Sequence, residues 1–367
     1  MILGIDASRA NKENKTGTEW YSYHVIEELK KIMSDKYRVI LYSIDILKGD
    51  LAVVPSNFKA QILNWPPKYL WTQIRLWWEL IINSPDVLFV PAHTIPFLPI
   101  KKKIKIVVTV HDVGFKRYPR LYKPIQVWYH DLTMRKIIRR ADVIITDSQF
   151  SKLEIMDLYS AKPEKIKVVY LGYDSLKYNQ NSTRVDLAKY NISQPYLLYI
   201  GRLEKKKNIL GIVQSFILAK EKHLDLKLVL VGNTGKDFEK IREIIKQNKI
   251  QAEIIMPGYV PEDDLPEIIR QAEIFVFPTL YEGFGLPIIQ AMACGTPVIT
   301  SNINPHLEVA SDGAVFVSPQ NPTDIAGQIN KILADEEFKN DLIGRGLERV
   351  KIFSWRKTSE DIFEFLN

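Results

Sequence analysis

Short apolar runs rich in Val, Ile and Leu recur along the chain. Between them lie longer stretches in which apolar residues return every three or four positions. Seven runs come first: Ile2–Asp6, Arg38–Tyr42, Ala60–Asn64, Asp86–Pro91, Lys105–His111, Asp142–Asp147 and Lys165–Leu171. Five follow: Tyr196–Gly201, Leu226–Gly232, Glu253–Pro257, Ile274–Pro278 and Pro297–Thr300. Runs that are apolar at nearly every position suit strands buried on both faces, and their alternation with helical stretches predicts βαβ units in parallel sheets. Twelve strands are many for one open sheet. The polar stretch Gly172–Gln194 divides them and reads as a linker. The pattern therefore predicts two doubly wound α/β domains, 1–172 and 173–352. A tail, 353–367, carries Trp355, Ile362, Phe363, Phe365 and Leu366 and is expected to dock as a helix back toward the first domain.

Composition narrows the class. With 367 residues, 46% apolar and 25% charged, the chain is long enough for two cores and excludes a disordered or collagenous protein. Cys294 is the single cysteine, which excludes an intrachain disulfide or a cysteine-based zinc site and fits a reducing compartment. The start, Met1-Ile-Leu-Gly-Ile-Asp6, lacks a basic leader segment and is expected to be a first strand rather than a signal peptide. No apolar run approaches the roughly 20 residues of a membrane span. These readings predict a cytoplasmic protein, with the inner face of the plasma membrane as an option. The net charge of +7 suits an anionic ligand, nucleic acid or an acidic membrane without choosing among them. Lys101–Lys105 and Arg135–Arg140, with Trp71, Trp77 and Trp78, are candidates for peripheral membrane contact; solvated faces and core aromatics are the alternative.

In open α/β sheets, ligands bind beyond the carboxyl ends of the strands. Tyr196–Gly201 runs into Arg202-Leu-Glu-Lys-Lys-Lys207-Asn208, and Ile274–Pro278 runs into Thr279-Leu-Tyr-Glu282-Gly-Phe-Gly285-Leu-Pro287. Gly283 and Gly285 permit a tight backbone path, Pro287 suits a first helical turn and Gly295 a helix end, which predicts a helix over Leu286–Cys294. Its free amides and positive dipole end make an anion site, and Arg202 and Lys207 leave a neighbouring strand toward the same place. The pair suits a diphosphate. The chain has no P-loop, no Gly-x-Gly-x-x-Gly and no Asp-x-Asp, so a P-loop NTPase and a dinucleotide oxidoreductase are disfavoured and a metal clamp is not signalled. Glu282 beside an anion site either holds sugar hydroxyls or simply favours the helix dipole; both readings stand on the residues alone.

At these residues the chain resembles glycosyltransferase family 4, the retaining nucleotide-sugar transferases of GT-B fold. Gly201-Arg-Leu-Glu-Lys-Lys-Lys-Asn208 resembles the family's Gly-Arg-Leu…Lys-Asn element, and Pro278 to Ser301 is similar to its donor-site block. Ser318–Pro322 and Phe353–Lys357 extend the match. In the first half, Val110-His111-Asp112 and Ala141–Ser151 are family-like, and together with Trp71–Trp78 and Tyr118–Tyr122 resemble the mannosyltransferase branch acting on surface polysaccharides. The resemblance implies two Rossmann-like domains facing a central cleft, the first on the acceptor side and the second holding the donor. It implies that Arg202 and Lys207 hold the diphosphate, that Glu282 contacts the donor sugar, and that His111 approaches that sugar from the first domain. Gly283 and Phe284 belong to the same donor block, Gly285 and Leu286 offer amides to phosphate, Val260 lies near the base, and the loop around Gly17 closes over the donor. One departure stands out: where the family carries a ribose-binding Glu eight positions after the first, this chain has Gln290, which hydrogen-bonds without charge.

The implied activity is transfer of a hexose, mannose from GDP-mannose in that branch, to a glycan or lipid-linked acceptor in cell-surface polysaccharide synthesis. The implied enzyme uses no cofactor and no metal; the nucleotide-diphosphate sugar is a co-substrate. The alternatives are a non-catalytic nucleotide-sugar-binding protein of the same fold, for which Gln290 is the motive, and a GT-B-like nucleotide-sugar epimerase or phosphorylase. Beyond net charge, no motif supports nucleic acid as a partner.

Overall fold

The computed structural model describes residues 1–13, 15–66, 69–101, 103–181, 185–235 and 238–367. Lys102 of the first basic run and residues 182–184 of the polar stretch lie outside the described residues. The chain divides into two compact units, Met1–Gly172 with Phe353–Asn367, and Tyr173–Ile352.

The first unit holds seven strands: β1 (Ile2–Asp6), β2 (Arg38–Ser43), β3 (Phe58–Ile62), β4 (Val87–Val90), β5 (Lys105–Thr109), β6 (Val143–Thr146) and β7 (Ile166–Val168). All pairs are parallel, in the order β3-β2-β1-β4-β5-β6-β7. Its helices are α1 (Gly17–Ile32), α2 (Trp77–Ile82), α3 (Gly114–Arg117), α4 (Pro124–Arg140) and α5 (Gln149–Tyr159). The sheet order reverses direction at β1. Right-handed crossovers then put α1 on one face and α2, α4 and α5 on the other. The packing agrees: Leu76 and Leu80 around α2, Met134 and Ile137 of α4 and Ile155 of α5 share one buried cluster with Leu88, Ile106 and Val108.

The second unit holds β8 (Tyr196–Ile200), β9 (Lys227–Val231), β10 (Ile254–Gly258), β11 (Ile274–Phe277), β12 (Val298–Ser301) and β13 (Val315–Val317), again parallel, in the order β10-β9-β8-β11-β12-β13. Among the described residues, seven α-helices belong to it: α6 (Ile209–Lys220), α7 (Phe238–Gln247), α8 (Leu265–Arg270), α9 (Leu286–Ala293), α10 (Asn304–Ala310), α11 (Pro322–Ala334) and α12 (Glu336–Val350). The last helix, α13 (Trp355–Leu366), belongs to the first unit.

Ser354 caps α13 by accepting from the Lys357 amide at 3.1 Å. The helix lies on α1: the Trp355 ring stacks on His24 with centroids 4.9 Å apart, and Thr358 Oγ1 donates to the Tyr170 carbonyl at 2.7 Å. Trp355, Ile362 and Leu366 are buried. At about 1.5–3 kcal/mol for each large apolar side chain taken from water, this helix contributes substantially to the first unit. Its approach requires glycine at 172, where a Cβ would lie 2.0 Å from the Trp355 nitrogen.

Two sequence readings are corrected. The second sheet has a sixth strand, β13, at its edge. It is only three residues long and half-exposed at two of them, so it carries no buried apolar run to announce it. The polar stretch after Gly172 is not a free linker. Tyr178 is buried with its hydroxyl bonded to Glu262, Lys177 pairs with Asp263 at 2.5 Å, and Lys189 pairs with Asp264 at 2.8 Å. Its polar residues find charged partners on the segment before α8, so a hydrophilic composition coexists with a docked path.

Candidate active site

In the second unit the carboxyl ends of β8 and β11 are neighbours, because these strands pair directly. Beyond β8, Lys205–Lys207 forms a short 3-10 turn that ends at Asn208 with φ +58. The Leu280 amide donates to the Lys206 carbonyl at 2.9 Å, and Asn208 Nδ2 donates to the Pro278 and Pro319 carbonyls at 3.0 and 2.6 Å. These bonds tie the lysine turn to the segment leading into α9. Lys207 Nζ consequently forms an ion pair with Glu282 and sits 5.7 Å over the Phe277 ring.

Gly285 precedes α9 with φ +108, a conformation that an L side chain rarely adopts. Pro287 occupies the first turn, and Ile288, Ile289, Ala291 and Met292 are buried and anchor the helix. Gly283 and Phe284 are buried, and Leu286 and Gln290 are half-buried. The Gln290 side chain makes no hydrogen bond with a described residue. Beneath the glycine lies His306, which sequence reasoning missed. A Cβ at 285 would stand 3.3 Å from its ring, and its Nδ1 is 2.8 Å from Thr300 Oγ1. Burial, and then the charge of Lys207, push His306 down to about 3, so it remains a neutral prop beneath the loop. The only advance signal for His306 was its position just past the end of β12.

Arg202 stands apart from the pair. Its side chain is 68% exposed, and its nearest charged partner is Glu204 at 3.7 Å. Val260 is buried after Gly258, at the end of β10. The second unit thus brings Lys207, Glu282 and the start of α9 together, and leaves Arg202 extended at the end of the adjoining strand. A cavity of about 490 Å³ lies at the opposite, amino-terminal edge of this sheet, lined by Gln194, Arg270, Glu273 and Pro297 among others. It does not touch these residues.

His111 and Gly17 belong to the first unit. Gly17 opens α1, with open space where a Cβ would be. His111 follows β5, and its Nδ1 lies 2.7 Å from Asp147 Oδ2 at the end of β6. The Tyr21 ring meets the imidazole edge-on at 4.7 Å, and Tyr21 Oη bonds Thr109 Oγ1 at 2.9 Å. Nε2 is buried without a hydrogen-bond partner among the described residues. Burial works against the imidazolium, but the Asp147 carboxylate outweighs it and the net shift of His111 is upward. Asp147 lies within the stretch Ala141–Ser151, and its position at a strand end beside that of His111 is the signal in the sequence that points to it. His93 is pushed down to about 3 by burial and then by His130, whose ring centroid is 5.3 Å away.

The family described as Glycosyl transferases group 1 matches residues 183–349, and that described as Glycosyltransferase Family 4 matches residues 16–175. O-antigen chain mannosyltransferase B of Escherichia coli is 32% identical over 305 residues, 82% of this chain and 77% of that protein. Sucrose-phosphate synthase from Thermosynechococcus elongatus superposes with a TM-score of 0.75 at 19% identity, over 100% of this chain and 98% of the other. Anabaena Alr3699/HepE, solved with UDP and glucose, gives 0.75 at 15% identity over the same shares. Among the described residues, no helix is long and apolar enough to cross a membrane.

Proposed function

This chain belongs to glycosyltransferase family 4, and on that premise we propose that it transfers mannose from GDP-mannose, with retention and without a divalent ion, to a glycan or glycolipid acceptor of a surface polysaccharide. The observation that carries the proposal is the meeting of Lys207, Glu282 and the amide end of α9 at the carboxyl ends of β8 and β11. A diphosphate at this end of α9 gains the helix dipole, the loop amides and the Lys207 ammonium. Arg202, free to swing from its exposed position, adds a planar fork. When the donor arrives, Lys207 turns from Glu282 to phosphate, and the released carboxylate accepts from sugar hydroxyls. The bond from C1 to the diphosphate oxygen breaks, the acceptor oxygen bonds C1 on the same face, and its proton passes to the departing phosphate. Charge growing on the diphosphate is what Lys207, Arg202 and the α9 amides stabilise. Gln290 hydrogen-bonds the ribose, Val260 flanks the base, and His111 serves the reacting sugar. The mannosyl assignment draws on the Escherichia coli relative, whose name records that sugar.

A panel of GDP-, UDP- and ADP-sugars, scored first for binding and then for turnover, tests the reading. Turnover with GDP-mannose, an α-linked product by NMR and an unchanged rate in chelator are expected. Binding without turnover would instead identify a non-catalytic sugar-nucleotide receptor, and a C2-inverted sugar an epimerase.

A further inference from the structure

The side of the first unit covered by α2 and α4 carries apolar side chains that no described residue covers. Ile74, Trp78 and Ile82 recur every four residues through the helical turn before α2 and α2 itself, and are 39%, 52% and 56% exposed. On α4, Ile125, Trp128 and Leu132 form a second stripe, 65%, 61% and 39% exposed. Both helices bury their opposite stripes in the same cluster, so both turn these residues outward on one side of the sheet. The segment between them closes the gap. Trp77 Nε1 donates to the Pro99 carbonyl at 2.9 Å, and the Phe97 and Tyr129 rings lie 5.7 Å apart, with Leu98 half exposed between these anchors. Leu98 therefore lies on the segment that these contacts fasten to both helices. Of the tryptophans singled out from the sequence, Trp71 is a core residue bonded to the Leu63 carbonyl, and Trp78 alone is outward-facing.

Basic residues collect on α4 and on the segment that leads to it. Residues 95–140 contain twelve Lys or Arg and two acids, and of these Arg117 and Arg140 pair with Glu154, Asp157 and Asp142 outside the segment. One of the segment's own two acids, Asp131, is already paired with Lys116 and Arg135. Lys101, Lys103, Lys123, Lys136 and Arg139 form no ion pair with a described residue. Arg135, Lys136 and Arg139 continue the exposed stripe of α4 directly beyond Leu132. A partner must therefore be apolar and negatively charged at once. A second copy of this chain would oppose the same positive charge and be repelled.

We infer that the outer face of α2 and α4 docks on an anionic lipid bilayer, with Trp78, Trp128 and Ile125 entering the headgroup boundary and the basic residues meeting lipid phosphates. This surface is independent of the donor site in the second unit, so the inference stands or falls separately from the proposed transfer reaction.

Cosedimentation of the full chain with vesicles, in the absence of sugar nucleotide, tests it. Phosphatidylcholine vesicles containing one-third phosphatidylglycerol should bind the protein. Pure phosphatidylcholine should not, and binding should fall at least about tenfold between about 0.05 M and about 0.5 M salt. Lys136→Gln with Arg139→Gln should lower the partition coefficient about 25-fold, at about fivefold per charge. Trp78→Ser with Trp128→Ser should lower it about tenfold. Both double variants should keep the wild-type circular dichroism spectrum and urea midpoint, which certifies the fold. Equal binding to neutral vesicles, wild-type partition by both double variants, or a dimer in solution abolished by the same changes would each overturn the inference.

Discussion

Lys207 and Glu282 neutralise one another at the amide end of α9, with each side chain only 15% exposed. The ammonium that would meet a diphosphate and the carboxylate that would meet a sugar are therefore partners until a ligand separates them. On the proposed reading, donor binding would exchange one ion pair for another, and the affinity for GDP would report the difference between them.

Glu282→Gln should therefore act in opposite directions on binding and on chemistry. It releases Lys207, and GDP binding should tighten severalfold by calorimetry. Turnover of GDP-mannose should fall on the order of a hundredfold, because the sugar loses its carboxylate. Lys207→Ala should weaken GDP binding about tenfold or more, the scale of one hydrogen bond to a charged group. A variant in which both quantities fell together for Glu282→Gln would contradict the exchange.

His111 and Asp147 predict a pH-dependent term in stability. The folded-state pKa of His111 is raised, so its contribution is complete below the unfolded value of about 6.5 and is lost as pH rises through the folded value. Urea unfolding of wild type and Asp147→Asn should show the largest gap below about pH 6.5, narrowing at alkaline pH. A gap that widens as pH rises would contradict the assignment.

His306 gives the reverse dependence. Its pKa is lowered to about 3 by burial and by Lys207, so the unfolded chain takes up a proton that the folded chain refuses between about pH 6.5 and about pH 3. Stability should decline over that window, and His306→Gln should flatten the decline in acid-unfolding curves. The loop at Gly285 rests on this ring, so the same variant should also weaken GDP binding.

Gly172→Ala should be among the most damaging small substitutions in the molecule. The added methyl would meet backbone on both sides of the Ser354–Trp355 peptide, which cannot yield as a flexible side chain would. A loss of about 3 kcal/mol or more in thermal or urea unfolding is expected. Gly17→Ala, at a position with open space, should change stability by less than about 1 kcal/mol.

Much of this was legible from residue order, and the reasons are local. Buried parallel strands announce themselves by unbroken apolar runs, and β1, β8 and β11 begin where those runs begin. Gly285, Pro287 and Gly295 bracketed α9 to within a residue because helix ends depend on neighbouring residue types. What stayed hidden depends on tertiary partners. Asp147 matters because β6 lies beside β5, and His306 because α10 follows β12 under the glycine loop. Tyr178 matters because Glu262, far along the chain, reaches its hydroxyl. Trp71 and Trp78 were indistinguishable as letters, and packing sent one inward and the other out.

The return of α13 to the first unit sets an order of events during synthesis. The second unit, Tyr173–Ile352, is synthesised before residues 353–367, whereas the surface of α1 that receives Trp355, Ile362 and Leu366 has been waiting since before the second unit was begun. Of these two units, the one begun earlier is thus finished later. A chain cut short after Ile352 would carry an uncovered apolar flank on its oldest part.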